Sequence, residues 1–315
     1  MVKLLILCGL QCSGKSTWAK TQKDYTVVSS DEMRLKYPLY DNEHIFKEVY
    51  KVCNDLLSQG INCILDATNT TIKSRRKIFE NIKIPCEINC YIFNTPYKEC
   101  LKRLKVRNTD PNNHHVPEEV LDKYLKSFEI PFKEEGFTNI DVHFKPDFDA
   151  CVKEQFDILV KCDGFDQQNM HHTQDLMKHM KSVKDYIDEK YFYAAMDNND
   201  FSNISTQLSH AAIYHDIGKL FTQTFKENDP NAHYYNHANV GAYYLLCTCG
   251  VYQNDKTWTQ TYQTNLTLDW LFYINYHMVL YNIKSEKSEK KWRKIFGDFK
   301  YNNLLILNEA DKGGK

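Results

Sequence analysis

The chain has 315 residues, and a length of this order predicts two domains. Hydrophobic residues make up 42% and charged residues 26%, which is ordinary globular usage and excludes a wholly disordered chain. A net charge of −1 excludes a polycation that coats nucleic acid by bulk charge, but it is compatible with a local basic groove. The mean hydropathy of −0.58 and the lack of an apolar run of ~18 residues exclude a membrane protein.

The eleven cysteines predict reduced thiols rather than a disulfide framework. Their number is odd, their spacings are irregular, and no pair has the C-x₂-C spacing of structural zinc sites. Free thiols are typical of a reducing compartment, so we expect a cytoplasmic protein. The apolar start of the chain is too short for a signal peptide and is expected to be a strand.

The first half of the chain alternates strand and helix patterns. Residues 2–9 are an almost continuous apolar run, as a buried parallel strand requires. Further strands are predicted over 25–29, 61–65, 87–93 and 140–144, and helices over 14–21, 42–59, 72–82, 97–107 and 117–128. Repeated βα units imply a parallel sheet covered by helices, so residues 1–150 are predicted to form an α/β domain.

Strand patterns fade after about residue 149. Helices are predicted near 151–161, 172–190, 203–217, 236–250, 264–282 and 288–296. We therefore expect residues 151–315 to form a second, all-α domain. Two polar segments, around 197–200 and 226–230, are expected to separate some of these helices.

A phosphate-binding loop is predicted directly after the first strand. The segment from Gly9 to Thr17 fits G-x-x-x-x-G-K-[ST] between a strand and a helix. The glycines let the backbone wrap closely around phosphate oxygens, which successive N–H groups then bind. Lys15 is expected to reach the β- and γ-phosphates of ATP, and the Ser16 hydroxyl to hold Mg²⁺. The residues assigned to nucleotide binding in this loop are Gly9, Ser13, Gly14, Lys15, Ser16 and Thr17.

Polar residues after the next two strands are candidates for the acceptor side of the site. Asp31 follows the second strand and either accepts the proton of an acceptor hydroxyl or caps the next helix. Arg34, one turn further, either binds an acceptor phosphate or is a solvated surface residue. Asp66 closes the third strand and is placed to orient a Mg²⁺ water or an acceptor.

Two arginines on a later helix complete the predicted kinase site. Arg103 and Arg107 have i,i+4 spacing just before a polar segment. They are expected either to lie on a lid that closes over the triphosphate or to form a solvated basic face. Loose charge stabilisation by such groups is what phosphoryl transfer requires, and Arg107 is therefore a catalytic candidate.

These motifs resemble the phage-type 5′-OH polynucleotide kinase family over the first ~150 residues. The match covers the loop from Gly9 to Ala19, Asp-x-x-Arg at Asp31 and Arg34, and the lid pair followed by Val116-Pro117. It also covers Asp-x-Thr-Asn at Asp66, Thr68 and Asn69, and the resemblance implies that Asp66 and Asn69 bind the acceptor. The resemblance implies that Lys15 and Ser16 bind phosphate and metal, that Asp31 is the general base, and that Arg34 touches the acceptor. The family often has a basic or Asn residue before the base, where this chain has Ser29 and Ser30.

A different constellation occupies the second half. Adjacent His215 and Asp216 end an apolar helix, and both could ligate one metal if the backbone turns at Gly218. Together with further residues of this half, they supply four imidazoles and two carboxylates, which suit one or two ions such as Mn, Fe, Co, Ni or Zn. Lys219 is expected to neutralise a bound phosphate, and it is the catalytic candidate in this half. The metal-ligand candidates are His179, His215, Asp216, His237, His277 and Asp311.

The order of these residues resembles the HD phosphohydrolase superfamily over about residues 165–315, with its sequence H…HD…H…H…D. The resemblance implies a metal-dependent phosphohydrolase. His171 and His172 compete with His179 for the first ligand position. His172 is alternatively expected to contact the substrate phosphate.

Together the two resemblances predict a bifunctional enzyme that heals nucleic-acid ends. The first domain would phosphorylate a 5′-OH of RNA or DNA with ATP and Mg²⁺. The second would use a divalent transition metal to remove a 3′- or 2′-phosphate or to open a 2′,3′-cyclic phosphate, and a separate ligase would act on the healed ends. Two alternatives stay open: a nucleoside or sugar kinase fused to a nucleotide phosphohydrolase, and a non-catalytic nucleotide-gated binding protein.

Overall fold

The structure is a computed structural model that describes residues 1–110, 115–145, 147–169, 174–196, 199–249 and 260–313. The chain divides into two compact units, Met1–Phe144 and Lys145–Lys315. Among the described residues, no helix has the length and apolar character needed to cross a membrane.

The first unit contains the predicted parallel sheet. Its strands are β1 (Lys3–Gly9), β2 (Thr26–Ser29), β3 (Cys63–Asp66), β4 (Glu87–Phe93) and β5 (Asn139–Val142). All described neighbours pair in parallel, in the order β2-β3-β1-β4-β5. The loop after central β1 therefore opens at the same sheet edge as the ends of β2 and β3. This confirms the predicted P-loop type of α/β fold.

Helices connect these strands, as the hydrophobic spacing predicts. They are α1 (Lys15–Ala19), α2 (Ser30–Lys36), α3 (Asn42–Ser58), α4 (Ile72–Asn81), α5 (Tyr97–Arg107) and α6 (Glu118–Lys126). In α3, Ile45, Val49 and Leu57 are buried against the sheet side, and the Asp41 side chain caps the first turn by accepting from the His44 N–H. The predictions did not include α2, a short helix that carries Asp31.

The second unit is largely helical, as predicted. Its helices are α7 (Phe148–Cys162), α8 (Leu176–Met196), α9 (Asn199–Tyr214), α10 (Lys219–Thr222), α11 (His237–Thr248), α12 (Gln260–Tyr276) and α13 (Glu286–Gly313). The backbone of α13 is kinked at Gly297, where φ is 75°. Buried apolar residues on α8, α9, α11 and α12 form the interior.

A small antiparallel hairpin is an addition to the predicted all-helical pattern. Its strands are β6 (Thr224–Lys226) and β7 (Asp229–His233). All three residues of β6 are exposed, and in β7 only Ala232 is buried. Neither strand therefore shows the alternation of apolar and polar residues by which a strand is predicted. The hairpin contains most of the polar segment that was expected only to separate two helices.

Candidate nucleotide site and candidate metal centre

The backbone of the loop between β1 and α1 requires glycine at two positions, Gly9 and Gly14. A Cβ on Gly9 would lie 2.8 Å from the Phe93 carbonyl oxygen, so any side chain there would force the two strands apart. Gly14 has a φ of 100°, in the left-handed region that favours glycine. The two glycines of the motif are therefore explained by close packing and by backbone conformation respectively.

Lys15 is folded back into this loop. Its Nζ donates to the carbonyl oxygens of Gly9, at 3.1 Å, and Leu10, at 2.6 Å, and to Ser13 Oγ at 3.3 Å. Burial lowers the pKa of the Lys15 ammonium, and the carboxylate of Asp66 partly offsets that effect. Carbonyl oxygens are weaker partners for an ammonium than phosphate oxygens. The Lys15 ammonium group therefore lies inside the loop that the motif predicts to bind the β- and γ-phosphates.

Asp66 lies beside this cation at the end of β3. Burial raises the pKa of Asp66, while a hydrogen bond from the Ser16 hydroxyl and the charge of Lys15 lower it. The Asp66 side chain is buried, whereas Ser16 and Thr17 are exposed on the first turn of α1. A hydroxyl and a carboxylate in contact are oxygen donors of the kind that Mg²⁺ prefers.

Asp31 lies on α2, and its carboxylate is accessible to solvent. The Ser29 side chain caps this helix, so Asp31 is free of the capping role that the sequence left open. Asp31 pairs with Arg34 at 2.9 Å, and the second Arg34 Nη donates to Asn42 Oδ1 at 2.8 Å. Asp31 is close enough to Asp66 and Lys15 to influence the pKa of both.

The two arginines of α5 differ in their contacts. Arg103 Nη1 lies 3.4 Å from the Cys12 carbonyl oxygen of the phosphate loop, and its Nε donates to Glu99 at 2.9 Å. Arg107 lies in the last turn of the helix and, with Arg103, lines a surface depression. The structure thus brings Arg103 to the loop, while Arg107 lies one turn further from it.

Asn69 is held by the protein rather than presented to an acceptor. It is 3% exposed, and its amide donates to the Leu7 carbonyl oxygen at 2.8 Å. Its own carbonyl oxygen accepts from Arg75 Nη1 at 3.1 Å. Arg75 is fully buried and forms a bidentate pair with Glu135. Sequence reasoning missed Arg75, because nothing in the helical pattern of 72–82 distinguishes a buried arginine from an exposed one.

In the second unit, the six predicted metal ligands lie together. They form two groups, each with its ligand atoms within 4.8 Å of one another: one comprises His179, His215 and Asp311, the other Asp216, His237 and His277. Among the residues that the structure describes, these two are the groups of at least three His, Cys, Asp or Glu side chains that could hold a metal ion. His171 and His172 lie outside the described residues, so the predicted phosphate contact of His172 stays a prediction.

Asp216 lies between the two groups and faces both. Its Oδ2 is 3.4 Å from His215 Nε2 and 3.5 Å from His179 Nε2. Its Oδ1 is 3.0 Å from His237 Nε2 and 3.5 Å from His277 Nε2. Asp311 Oδ1 closes the first group, 3.2 Å from His179 Nε2. One carboxylate therefore connects two clusters of imidazoles.

Backbone carbonyls orient three of the imidazoles. Nδ1 of His215 lies 2.7 Å from the Ala212 oxygen, Nδ1 of His237 lies 2.8 Å from the Tyr234 oxygen, and Nδ1 of His277 lies 2.7 Å from the Ile274 oxygen. If Nδ1 carries the proton in each ring, Nε2 presents a lone pair to the centre. The Nε2 of His215 is buried and makes no well-formed hydrogen bond to a described residue. This donor set fits a divalent metal.

Two further residues support the carboxylates of this centre. Lys219, which is 4% exposed, pairs with Asp216 Oδ2 at 2.6 Å and donates to Gln167 Oε1 at 2.7 Å. The Tyr281 hydroxyl donates to Asp311 Oδ2 at 2.6 Å. Burial lowers the pKa of His215, but the carboxylates of Asp216 and Asp311 raise it to about 10 overall, so a metal that binds at Nε2 would displace a proton from this ring. Gln167 and Tyr281 were not predicted, since neither residue type nor spacing marks them in the sequence.

The first unit is thus a P-loop α/β domain, and the second is a largely helical region with a buried His/Asp centre. The family model described as "AAA domain" matches residues 4–131. The chain is 28% identical over 162 residues to a bifunctional polynucleotide phosphatase/kinase from Schizosaccharomyces pombe. That match covers 49% of this chain and 36% of the relative, so the chain spans little more than a third of the relative's length.

The solved structures that are similar to part of this chain include two complexes. One is the "Structure of the Pnkp1/Rnl/Hen1 RNA repair complex", with 30% identity, a TM-score of 0.36 and coverage of 39% of this chain and 42% of that chain. The other is the "Structure of Pnkp1/Rnl/Hen1 complex", with 33% identity, a TM-score of 0.30 and coverage of 32% and 38%.

Proposed function

We propose that the first unit is a polynucleotide 5′-hydroxyl kinase and that the second is a metal-dependent phosphohydrolase that acts on 3′- or 2′-phosphate or 2′,3′-cyclic phosphate ends. The observation that carries the kinase half is the common sheet edge where Lys15, Asp66 and Asp31 meet. The similarity to a bifunctional polynucleotide phosphatase/kinase supports a polynucleotide as the acceptor.

Each polar group of the first site has a place in phosphoryl transfer. Lys15 would exchange its loop carbonyls for the β- and γ-phosphates of ATP, because charged oxygens bind an ammonium more strongly. Asp31, accessible on α2, would accept the proton of the 5′-OH. Ser16 and Asp66 would hold Mg²⁺, which when bound neutralises charge on the phosphates. Arg103 and Arg107 would stabilise charge on the transferred group.

The second site can be argued from its own residues. Four imidazoles and two carboxylates would hold one or two divalent transition-metal ions, which when bound supply an activated water for attack on phosphate. Asp216 would contact both ions if two are present, since its oxygens face different groups. Lys219 and Tyr281 fix the two carboxylates and so determine where the imidazoles can converge.

The decisive experiment uses one labelled RNA with a 5′-OH and a 2′,3′-cyclic phosphate. The protein is incubated with this RNA, ATP, Mg²⁺ and Mn²⁺, beside Lys15→Ala and Asp216→Asn. Exposed Lys20→Ala and Asp163→Asn are matched controls for charge removal in the same units. We expect Lys15→Ala to lose only the 5′ reaction, Asp216→Asn to lose only the 3′ reaction, and the controls to keep both.

Two other outcomes would change the proposal. Consumption of ATP with a free nucleoside or sugar, and no change at either RNA end, would favour a small-molecule kinase fused to a nucleotidase. Oligonucleotide binding without turnover of any substrate would favour the non-catalytic alternative. If the RNA ends are healed, a separate ligase that joins 5′-phosphate to 3′-OH ends is the partner class that would consume the product.

A further inference from the structure

An aromatic pair, in which Tyr37 is half-buried and Tyr40 is exposed, lies directly after helix α2, which also carries Asp31. The rings of Tyr37 and Tyr40 stack with centroids 5.0 Å apart and planes 11° from parallel. Tyr40 is 47% exposed, and its neighbours Leu35 and Leu39 are 80% and 96% exposed. The phosphate-transfer chemistry described above uses none of these four residues. Rings of this size usually bury most of their surface, so their exposure beside a reaction site needs an explanation.

The pair continues a row of chemically different groups that winds from α2 into the turn after it, with adjacent members about 60° apart around the helix axis. Asp31, Arg34 and Tyr37 follow at intervals of three residues, and side chains at this spacing are neighbours on a helix. At 1.5 Å per residue, Tyr37 lies about 9 Å along the axis from Asp31. The row consists of a carboxylate, a guanidinium and an aromatic ring. In the same order, these groups could contact the 5′-OH, the first phosphate and a base of a nucleotide strand.

Local contacts hold this row in position. The Tyr37 N–H donates to the Met33 carbonyl at 2.9 Å, and the Tyr40 N–H donates to the Tyr37 carbonyl at 3.1 Å, so a tight turn presents both rings. Arg34 is fixed by Asn42 and lies 5.9 Å from the centre of the Phe46 ring. Lys36 Nζ lies 5.3 Å from the centre of the Tyr37 ring and adds positive charge that a phosphate backbone would meet.

We propose that Tyr37 and Tyr40 form a stacking platform for one of the first three bases of a 5′-OH polynucleotide. A span of about 9 Å corresponds to two or three nucleotides at a rise of about 3.4 Å. Every base has a π-face, so a platform of this kind binds single strands with little sequence preference. This inference rests on the proposed kinase function and deepens it, because it makes the acceptor a strand with bases rather than any hydroxyl compound.

The direct test measures stacking without catalysis. Oligonucleotides with a 5′-OH carry 2-aminopurine at position 1, 2, 3 or 8, and its fluorescence is followed as protein is added without ATP. We expect quenching at one of the first three positions only, retained in Tyr40→Phe and lost in Tyr40→Ala. Leu39→Ala, which removes a more exposed apolar side chain from the same turn, should quench like the wild type. Equal quenching at position 8, or quenching unchanged in Tyr40→Ala, would overturn the platform.

A kinetic arm separates this inference from the proposed function. Aromatic stacking on a base is worth about 1–3 kcal/mol, so Tyr40→Ala should raise the KM for an oligonucleotide at least about fivefold and leave kcat nearly unchanged. The increase should vanish for a strand whose first three nucleotides are abasic. If the wild type phosphorylates intact and abasic strands equally well, the platform is wrong while the kinase function stands. If no strand is phosphorylated, the kinase function itself fails, while the fluorescence assay still tests the platform on its own.

Discussion

Removal of the buried Arg75 guanidinium should destabilise the first unit strongly. Arg75 donates to both carboxylate oxygens of Glu135 at 2.8 Å and to the carbonyl oxygens of Asn69 and Glu129. In Arg75→Ala the Glu135 side chain, 4% exposed, loses both hydrogen bonds from the guanidinium. Breaking a buried ion pair from one side costs about 3–5 kcal/mol. With a urea m-value of about 2 kcal/mol/M, the unfolding midpoint of this unit should fall by roughly 2 M.

The measurement is urea unfolding of the whole chain. Hydrogen exchange in peptides from β1 and β3 serves as the probe, so that only unfolding of the first unit is detected. Arg76→Ala is the matched control, because Arg76 pairs with Glu80 at the same 2.8 Å but with side chains 63% and 52% exposed. Exposed helical pairs contribute only about 0.3–0.5 kcal/mol. A midpoint shift in Arg75→Ala no larger than that in Arg76→Ala would refute the reasoning.

Three other changes have defined expectations. Gly9→Ala should destabilise the first unit by about 1–3 kcal/mol and weaken ATP binding in calorimetry, because its Cβ would lie 2.8 Å from the Phe93 carbonyl oxygen; unaltered affinity and stability would contradict this packing argument. Removing bound metal with a chelator should lower the thermal midpoint of the second unit, and Mn²⁺ at a thousandfold its Kd should restore about 4 kcal/mol in the wild type but not in Asp216→Asn. Tyr281→Phe removes the 2.6 Å hydrogen bond to Asp311, so the metal Kd in a competition titration should rise at least about tenfold, and an unchanged Kd would show that this bond does not position the ligand.

Much of the first unit could be predicted because its signals are local. Central β1 is an almost continuous apolar run, and α3 and α4 carry one apolar face between strands, so the pattern of alternating elements predicts a parallel sheet. The β2–β3 register pairs Ser29 with Asp66, which explains why the segment carrying Asp31 starts beside the end of β3. Helix α2 escaped prediction because seven residues with a largely exposed surface carry no apolar stripe.

The supporting residues of both sites could not be predicted, for a physical reason. Gln167 contacts Lys219 across 52 positions of sequence, and Tyr281 contacts Asp311 across 30. Such contacts depend on how helices pack, and periodicity specifies only which face of a helix is buried. The same limit applies to Asn69, whose residue type suited a substrate contact but whose amide is used to join β3 to β1.

For the His/Asp centre, the sequence motif and the packing of the helices identify the same candidate metal ligands. The six residues from His179 to Asp311 were predicted from their chemistry and from the resemblance of their order to the HD phosphohydrolase superfamily, over a stretch in which no two helices can be positioned from sequence. The same six residues form the two groups in which ligand atoms converge among the described residues. Burying two carboxylates in a helical interior is costly unless cations compensate them. Lys219 supplies one such charge at Asp216, and the remaining carboxylate with four inward imidazoles is the arrangement a divalent ion would stabilise. Apolar side chains of similar volume would stabilise a helical interior at least as well as buried ionisable groups, so the presence of these groups favours a chemical role for the second unit.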